Sequence, residues 1–470
     1  MRRQATKIQF LGGVGTVTGS RFLAETAAGR FLVDCGLYQE RNLRERNWEP
    51  FPVPPESIRA VVLTHAHLDH CGYLPKLVKD GFRGPVFCTH PTRELLGLAL
   101  ADAGKVQEED AAAKRRRHER AGISGPYPEV PLYTEQEGRQ VLSQVVSYSY
   151  GEPFLPVDDV EAVFRDAGHI LGSAVVELSF GAKAGARRLV CSGDIGRYGN
   201  PLLRDPSPVA DADVLFIEST YGNRLHNEPA DSSEALARVI NETCRAGGRV
   251  VVPTFAIERA QELLYHLGIL TAEGLIPQVP VFIDSPLAID VTEVYLKFPS
   301  YLDPGIGELL AEHGRVFRFP LLKTTRSVSE SKAIRATEGP AVILAGSGMC
   351  VGGRIKHHLA DTISSPQHTI LFVGYQAEGT LGREILERPR EVRILGQVYP
   401  VRARIEKING YSAHADRDEL LRWVKGFGKG PGAVFVIHGE QEPAESFAAL
   451  LTEKLDVPAR VPQYLDEVTV

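Results

Sequence analysis

Six consecutive residues early in the chain carry four side chains that can bind a metal ion. They are His65, His67, Asp69 and His70, directly after the apolar run at 60–63, which is typical of a buried strand. In extended chain, residues two apart face the same way, so His65 and His67 can present two imidazoles to one point. Asp69 and His70 follow where the chain turns and can serve a second point. Imidazole with carboxylate is a zinc ligand set, and shared ligands are typical of two-metal hydrolytic centres.

A polar loop that happens to be rich in histidine is the plain alternative. The His-x-His-x-Asp-His register is rare in such loops, which favours a metal site. A His-x-His pair still needs a third ligand, and a two-metal site needs a bridging carboxylate. His169 and Asp194 each end or follow a strand-like run, so they are candidates for these roles.

Length and composition indicate a globular protein of several domains. At 470 residues the chain is too long for one ordinary core, which predicts two or three domains. A hydrophobic fraction of 43% and a charged fraction of 24% are ordinary for soluble proteins. Because no apolar run approaches about 20 residues and the start has no signal-peptide core, we expect a cytoplasmic protein without membrane contact.

Cysteines and charge exclude little. The six cysteines are scattered without a Cys-x-x-Cys pair, so disulfides and a cysteine zinc site are not expected. A net charge of −6 does not suggest a nucleic-acid binder, although a groove can be locally basic and bound cations add charge. The densest basic run, 114–118, follows a helical stretch rich in Ala, Glu and Asp, which favours a solvated helix face over a nucleic-acid patch.

The first half of the chain contains strand and helix patterns in alternation. The glycine-rich segment 13–19 fails the dinucleotide fingerprint, because its spacing is wrong and a strand follows it. We expect strands at 8–11, 21–25, 30–34 and 85–89, and helices at 74–79 and 92–120.

From residue 213, buried strand-like runs alternate with helices, which predicts a parallel, doubly wound sheet with its own core. The runs are 214–217, 250–252, 281–283, 342–344 and 370–373. Ligands bind at the carboxyl edge of such sheets. There Gly346, Ser347 and Gly348 precede a helix and could offer backbone N–H groups to a phosphate. Glycines at that position also serve turn geometry alone.

The end of the chain returns to residues capable of chemistry. A strand expected at 402–408 leads to Ser412-Ala413-His414-Ala415-Asp416, and a buried run at 433–437 leads to His438. Taken in order, the positions resemble the metallo-β-lactamase superfamily, and more narrowly its β-CASP ribonuclease branch, over nearly the whole chain. The residues and segments that carry the resemblance are Asp34, His65–His70, His169, Asp194, Glu218, 253–256, 284–286, 346–349, 372–376, His414 and His438.

The resemblance implies two zinc ions with Asp194 shared between them. One ion would take His65, His67, His169 and Asp194. The other would take Asp69, His70, Asp194 and His438. Asp34 would lie behind these ligands.

The resemblance also implies a four-layer αβ/βα metallo-β-lactamase fold with an inserted β-CASP domain that contains a mostly parallel doubly wound sheet. We expect residues 1–220 and 396–470 to form the first domain, residues 221–395 to form the insert, and the active site to lie between them.

The activity implied is hydrolysis of phosphodiester bonds in single-stranded RNA by a hydroxide that bridges the two zinc ions. Asp69 would be catalytic, and His414, positioned by Glu218, would be the general acid. Gly346, Ser347, Gly348 and Ser412 would bind substrate. DNA-processing members carry an apolar residue at the position of His438, which favours RNA. A homodimer is left open, as is the choice between endonucleolytic and 5′-exonucleolytic cleavage.

Two alternatives belong to other functional classes. One is a hydrolase of the same superfamily that acts on a small molecule, and the large insert and His414 argue against it. The other is a non-catalytic RNA-binding subunit. Every ligand position is filled in this sequence, which argues against this alternative.

Overall fold

The computed structural model describes residues 6–40, 42–124, 129–181, 186–226, 229–313 and 316–470. The chain forms two compact units, Met1–Leu225 with His414–Val470, and His226–Ala413. Both ends of the chain build the first unit, and the second is an insertion between them.

The second unit was expected at residues 221–395, whereas it spans His226–Ala413 in the structure. The larger difference is at its C-terminal boundary. Strand Arg404–Lys407 pairs in parallel with Thr369–Phe372 and therefore belongs to the sheet of the second unit. Strand Val214–Glu218, which the sequence pattern grouped with the later parallel strands, pairs instead with Arg187–Cys191 and Ala433–Ile437 in the first unit.

Two mixed sheets form the centre of the first unit, each with seven strands among the described residues. In spatial order, the first sheet contains Glu467–Thr469, Lys7–Gly12, Arg21–Thr26, Gly29–Val33, Ile58–Val62, Val86–Thr89 and Val145–Tyr148. The second contains Ala459–Arg460, Ala433–Ile437, Val214–Glu218, Arg187–Cys191, Ala174–Phe180, Val160–Asp166 and Pro153–Val157.

The two sheets face each other across one apolar core. Phe10 and Phe22 of the first sheet meet Phe216 of the second with ring centroids 4.9 and 5.7 Å apart. Helices cover the outer face of each sheet, with Leu96 packed on the first and Trp423 on the second. This confirms the expected four-layer αβ/βα arrangement, in which each sheet buries both of its faces.

The helices of the first unit follow local signals. Thr89 caps the longest, His90–Ala121, by accepting the Thr92 N–H, and Gly122 ends it at φ +63°. The expected helix 74–79 is confirmed as Leu74–Lys79. The other α-helices described in this unit are Leu68–Cys71, Glu135–Gln140, Arg417–Lys425 and Gln441–Leu455, with 3-10 turns at Arg44–Asn47, Pro55–Ser57 and Val141–Gln144.

The second unit is built on a parallel sheet, as the alternating pattern predicts. Its order among the described residues is Leu322–Thr324, Val281–Asp284, Ala341–Ala345, Arg249–Pro253, Thr369–Phe372 and Arg404–Lys407, and every pairing is parallel. The chain starts near the middle, moves to one edge and returns to the other, which is the path of a doubly wound sheet.

Helices and one hairpin complete the second unit. The α-helices are Pro229–Arg245, Arg259–Ala272, Pro286–Lys297, Pro304–His313, Val328–Ala333, Ile355–Thr362 and Leu381–Leu386, with 3-10 turns at Pro299–Tyr301, Ile334–Ala336 and Asn409–Tyr411. Strands Glu391–Ile394 and Gln397–Pro400 form the antiparallel hairpin. Of all the helices that the structure describes, none combines the length and apolar character needed to cross a bilayer.

Candidate metal centre

The predicted ligands lie where strands of the first unit end. Thr64 to His67 follow strand Ile58–Val62, and His67 is the N-cap of the short helix Leu68–Cys71 that carries Asp69 and His70. The histidines therefore occupy a loop and a helical turn rather than extended strand. In the second sheet, the remaining positions end or follow four strands at their carboxyl ends; these positions are His169, Asp194, Glu218 and His438.

Four ligand atoms converge on a first point. His67 Nδ1 lies 3.1 Å from His65 Nε2 and 3.2 Å from His169 Nε2. Asp194 Oδ2 lies 3.5 Å from both His65 Nε2 and His169 Nε2. A tetrahedral zinc ion with ligands at about 2.0–2.1 Å places them roughly 3.3–3.4 Å apart. The spacing of these atoms fits a tetrahedral ion.

The other oxygen of Asp194 faces a second set of ligand atoms. Asp194 Oδ1 lies 3.3 Å from His70 Nε2 and 3.3 Å from His438 Nδ1. His438 Nε2 in turn lies 3.4 Å from Asp69 Oδ2. Asp69, His70 and His438 form a further group of closely spaced ligand atoms. The side chain of Asp194 thus faces both groups.

Hydrogen bonds within the protein leave part of the centre unsatisfied. Both oxygens of Asp194 and Nε2 of His70 are buried without a hydrogen-bond partner. Unpaired buried polar atoms are costly unless a charge or metal satisfies them. Since imidazole and carboxylate are metal ligands, these residues are suited to bind a metal ion.

Asp34 orients one ligand from behind. Its Oδ2 lies 2.7 Å from His70 Nδ1 and accepts from Thr64 Oγ1 at 2.9 Å, while its Oδ1 accepts the Thr64 N–H at 2.8 Å. A carboxylate on the outer nitrogen fixes the ring and tautomer of a metal-binding histidine. Asp34 adopts φ +60°, a backbone strain that functional sites often retain.

Protonation in the site matches metal binding. Burial lowers the pKa of His67 to about 4 and that of His65 well below its usual value, which keeps both rings neutral. Burial opposes ionisation of Asp194, but the imidazoles of His438 and His70 hold its pKa well below the usual range. Burial also opposes a charge on His70, yet Asp194 and Asp34 raise its pKa strongly. A metal cation would replace that proton.

His414 lies beside the ligand groups and pairs with Glu218. Its Nδ1 is 3.1 and 3.2 Å from the two oxygens of Glu218 and 3.9 Å from Asp194 Oδ2. Glu218 is fully buried, and its oxygens also accept the N–H groups of Ile195 and Thr220. Burial would lower the pKa of His414, but Glu218, together with Asp194 and Asp69, raises it to about 9.

Backbone contacts bring these loops together. Residues 414 and 196 form an antiparallel bridge, and Ala415 N donates to Ile195 O at 2.7 Å. A Cβ on Gly196 would lie 1.8 Å from Gly168 O, so only glycine allows the loops of His169 and Asp194 to approach so closely.

Four supporting contacts were not predicted. Thr220 Oγ1 lies 3.1 Å from His438 Nδ1, and Ser173 Oγ accepts the His169 N–H at 3.0 Å. The glycine-rich segment 13–19 contacts the site, because Gly13 O accepts the His438 N–H at 2.7 Å. Thr64, which touches Asp34, was the easiest to anticipate because it directly precedes the histidine motif.

The predicted substrate-binding residues lie in the second unit. Ser347 Oγ bonds to the N–H of Gly352 at 3.2 Å, and Ser347 N donates to Gly352 O at 3.3 Å. The helix that these glycines precede begins at Ile355. Ser412 is buried, and Gly348 packs so closely on the Phe255 ring that a Cβ would lie 2.6 Å away.

Three family models match successive parts of the chain. The metallo-beta-lactamase superfamily model covers residues 15–246, the Beta-Casp domain model covers 260–385, and the Zn-dependent metallo-hydrolase RNA specificity domain model covers 398–462.

The chain is also similar to named proteins over most of its length. Ribonuclease TTHA0252 of Thermus thermophilus is 38% identical over 440 residues, which cover 94% of each chain. Transcription termination factor FttA of Methanosarcina mazei is 32% identical over 477 residues, which cover 99% of this chain and 72% of that protein. A solved structure of a protein of unknown function from Enterococcus faecalis V583 covers 99% of this chain at a TM-score of 0.53 and 11% identity, a likeness of fold alone. The chain belongs to the β-CASP family of metal-dependent ribonucleases within the metallo-β-lactamase superfamily.

Proposed function

We propose that this protein hydrolyses phosphodiester bonds of single-stranded RNA with two zinc ions bound at the metal centre. His65, His67, His169 and Asp194 would hold one ion. Asp69, His70, Asp194 and His438 would hold the other. Zinc at such a site lowers the pKa of water from about 15.7 towards neutrality and offsets the charge that develops on a phosphoryl group.

The observation that carries the proposal is the position of Asp194. One of its buried oxygens lies beside His65 and His169, and the other lies beside His70 and His438. A single carboxylate between two groups of ligand atoms is the arrangement that two closely spaced ions require.

His414 is proposed to hold a proton for the leaving oxygen. Glu218 engages Nδ1, so Nε2 is the nitrogen that would deliver the proton to the 3′ oxygen of the departing RNA segment. Glu218 favours the charged ring, and neighbouring metal cations would bring the pKa of His414 from about 9 back towards neutrality, which suits a general acid.

His414 and Glu218 also belong to a group of residues that could hold a metal, together with Asp194 and His438. We assign His414 to proton transfer instead, since Glu218 already accepts two backbone N–H bonds, from Ile195 and Thr220. A carboxylate whose oxygens already accept these hydrogen bonds has fewer lone pairs available to bind an ion.

RNA as the substrate is supported by the match to an RNA specificity domain and by the similarity to the ribonuclease of Thermus thermophilus. The recessed centre supports a single strand, since Asp194 is 1% exposed and a flexible strand can direct one phosphate inwards. We propose that the loop 346–348 and Ser412 contact that strand, that Asp69 acts in catalysis as a ligand, and that the second unit is the β-CASP domain.

The test combines metal analysis with cleavage of RNA labelled at its 5′ end. Zinc-loaded protein should cut a single strand and leave a 5′-phosphate and a 3′-hydroxyl, while Asp69→Ala protein prepared in parallel should not. Equal cleavage by both proteins would reveal a contaminating nuclease. Absence of cleavage of any RNA by protein that holds two zinc ions would refute the proposal.

A further inference from the structure

The long helix His90–Ala121 changes its surroundings halfway along. Up to Gly104 it packs against the first sheet through residues such as Leu96 and Leu100. We call residues 105–121 the distal helix. Among its described side chains, only His118 is buried. At about 1.5 Å per residue, the distal helix extends roughly 26 Å past Gly104.

One face of the distal helix is covered by the segment that follows it. Leu132 N donates to Gln107 Oε1 at 3.1 Å, Arg115 Nη2 donates to Glu129 O at 2.9 Å, and His118 pairs with Glu129. With 3.6 residues per turn, the helix residues in these contacts fall within roughly 80° of one another around the axis.

The opposite face carries three arginines, Arg116, Arg117 and Arg120. They span about 100° of the helix circumference, and Arg116 and Arg120 are neighbours at a spacing of i, i+4. All three are exposed. Among the described residues, the ion pair of the distal helix is that of His118 with Glu129, and none involves these three arginines. We call them the arginine face.

The local charge opposes that of the whole protein. From residue 111 to residue 128 the sequence contains Lys114, Arg115 and the arginine face, with Glu119 as the sole acidic residue, while Glu108, Glu109 and Asp110 lie directly before this stretch. The whole chain carries a net charge of −6. Arg116 and Arg120 are like charges at a spacing of i, i+4, which destabilises a helix slightly unless an anion binds, and Glu119, at i, i+3 from Arg116, offsets part of this.

Helix stability alone does not account for the cluster. Cations stabilise a helix C-terminus only within about its last turn, which includes Arg120 but not Arg116 or Arg117. The last carbonyls already have partners, because Gly122 and Ile123 donate their N–H groups to Glu119 O and His118 O.

We propose that the arginine face binds the phosphate backbone of RNA, as an anchoring surface additional to the metal centre. This proposal rests on the proposed function, because it takes RNA as the protein's ligand. Guanidinium groups bind phosphates in a bidentate manner, and contacts to phosphate are independent of sequence. The surface holds long substrates and takes no part in the cleavage step.

The test compares three full-length proteins with the wild type. The first carries Arg116→Gln, Arg117→Gln and Arg120→Gln, and the second carries Lys at the same three positions. The third is a control with an equal charge change at exposed sites elsewhere, Arg390→Gln, Lys425→Gln and Lys429→Gln. Cleavage kinetics are measured with RNAs of about 30 and about 6 nucleotides, and binding to the longer RNA is measured between about 50 and 200 mM salt. Binding is measured with Asp69→Asn added to each protein, to prevent cleavage.

The glutamine variant loses three phosphate contacts, which should make the slope of log affinity against log salt shallower by about 2. Between about 50 and 200 mM salt, the wild type should therefore lose roughly 20-fold more affinity than the glutamine variant. The glutamine variant should show a raised KM for the long RNA only, with an unchanged kcat and zinc content. The lysine variant and the control should retain the wild-type slope.

A glutamine variant with the salt slope and KM of the wild type would overturn the proposal. The proposal would also be overturned if vesicles of anionic lipid or an acidic peptide bound to the arginine face and RNA did not. If no protein cleaves RNA yet the slopes differ as expected, the proposed function fails while the anchoring surface stands.

Discussion

Two buried aspartates, one in each unit, show how this protein distinguishes a metal site from a structural network. Asp284 ends a buried parallel strand, Asp194 follows strand Arg187–Cys191 of a mixed sheet, and both aspartates lie beside a histidine. The oxygens of Asp194 have no hydrogen-bond partner. Those of Asp284 accept bonds from the residues around them, namely Thr325 at 2.6 Å, Arg354 at 2.7 Å, His358 at 2.7 Å and Ser331.

The difference lies in the donors that surround each carboxylate. Asp284 meets hydroxyl, guanidinium and imidazole N–H groups, which satisfy it within the chain. Asp194 meets imidazole nitrogens of His65, His70 and His169 at 3.3–3.5 Å, which can share metal ions with its two oxygens but leave these oxygens without hydrogen bonds. A buried carboxylate beside histidine therefore indicates a metal site only when its own chain leaves it unsatisfied.

The largest expected effect comes from Asp194→Ala. This change removes the carboxylate shared by both ligand groups, so zinc binding should fall by at least one ion and RNA cleavage should become undetectable. The fold should persist, since zinc in a large hydrolase does not supply the folding energy that it supplies to a zinc finger. Zinc content, cleavage rate and thermal unfolding are measured together. Wild-type cleavage by Asp194→Ala protein would contradict the assignment.

His414→Ala should slow cleavage by about 100- to 10,000-fold, the usual contribution of a general acid. Zinc content and RNA affinity should stay near the wild-type values, because the ligand atoms remain in place. A substrate with sulfur at the scissile 3′ bridging position needs little protonation and should recover much of the lost rate. Loss of a zinc ion, or equal loss with both substrates, would show that His414 has a structural role.

Asp284→Ala should reverse the pattern seen for Asp194. Removing a buried carboxylate leaves His358 and Arg354 without their partner, which should lower the free energy of unfolding by about 3 kcal/mol. Zinc content should not change. A loss of zinc with unchanged thermal stability would contradict the comparison.

The same residue gives a prediction about pH. Burial opposes ionisation of Asp284, but hydrogen bonds from His358, Ser331, Thr325 and Arg354 hold its pKa well below the usual range. A lowered folded-state pKa contributes stability that is present above the unfolded pKa of about 3.9 and is lost as pH falls below it. The stability difference between wild type and Asp284→Asn, from denaturant unfolding, should therefore shrink from about pH 6 to about pH 3. A constant difference would rule out this carboxylate as the source.

Ser347→Ala should have the smallest effect. Because Ser347 Oγ contacts Gly352 within its own loop, its loss should alter the loop and raise KM for RNA several-fold, with a smaller change in kcat. Steady-state kinetics with a single-stranded RNA measure both constants. A fall in kcat at constant KM would place this loop in the chemical step.

The spacing of residues in the sequence made the metal centre predictable. The pairing of strands between distant parts of the chain could not be predicted in the same way. His65, His67, Asp69 and His70 are close in sequence, so their convergence follows from one turn of chain. Strand Val214–Glu218 was grouped with the wrong sheet because buried parallel strands all read as apolar runs, and only pairing shows which sheet they join.

The second unit shows the same limit. In strand Arg404–Lys407 only Ile405 is buried, and the place of the strand in the parallel sheet depends on pairing with Thr369–Phe372. The loop after Ala345 closes on itself through Ser347 and Gly352 before the helix begins at Ile355, a contact that leaves no sequence pattern.

The most direct test of the account is the number of zinc ions per chain. Protein purified without chelator and titrated with zinc should saturate at two ions, whereas the His67→Ala variant should lose an ion and the Asp284→Asn variant should keep both. Saturation of the wild type at one ion or none would contradict the central claim that Asp194 joins two metal sites.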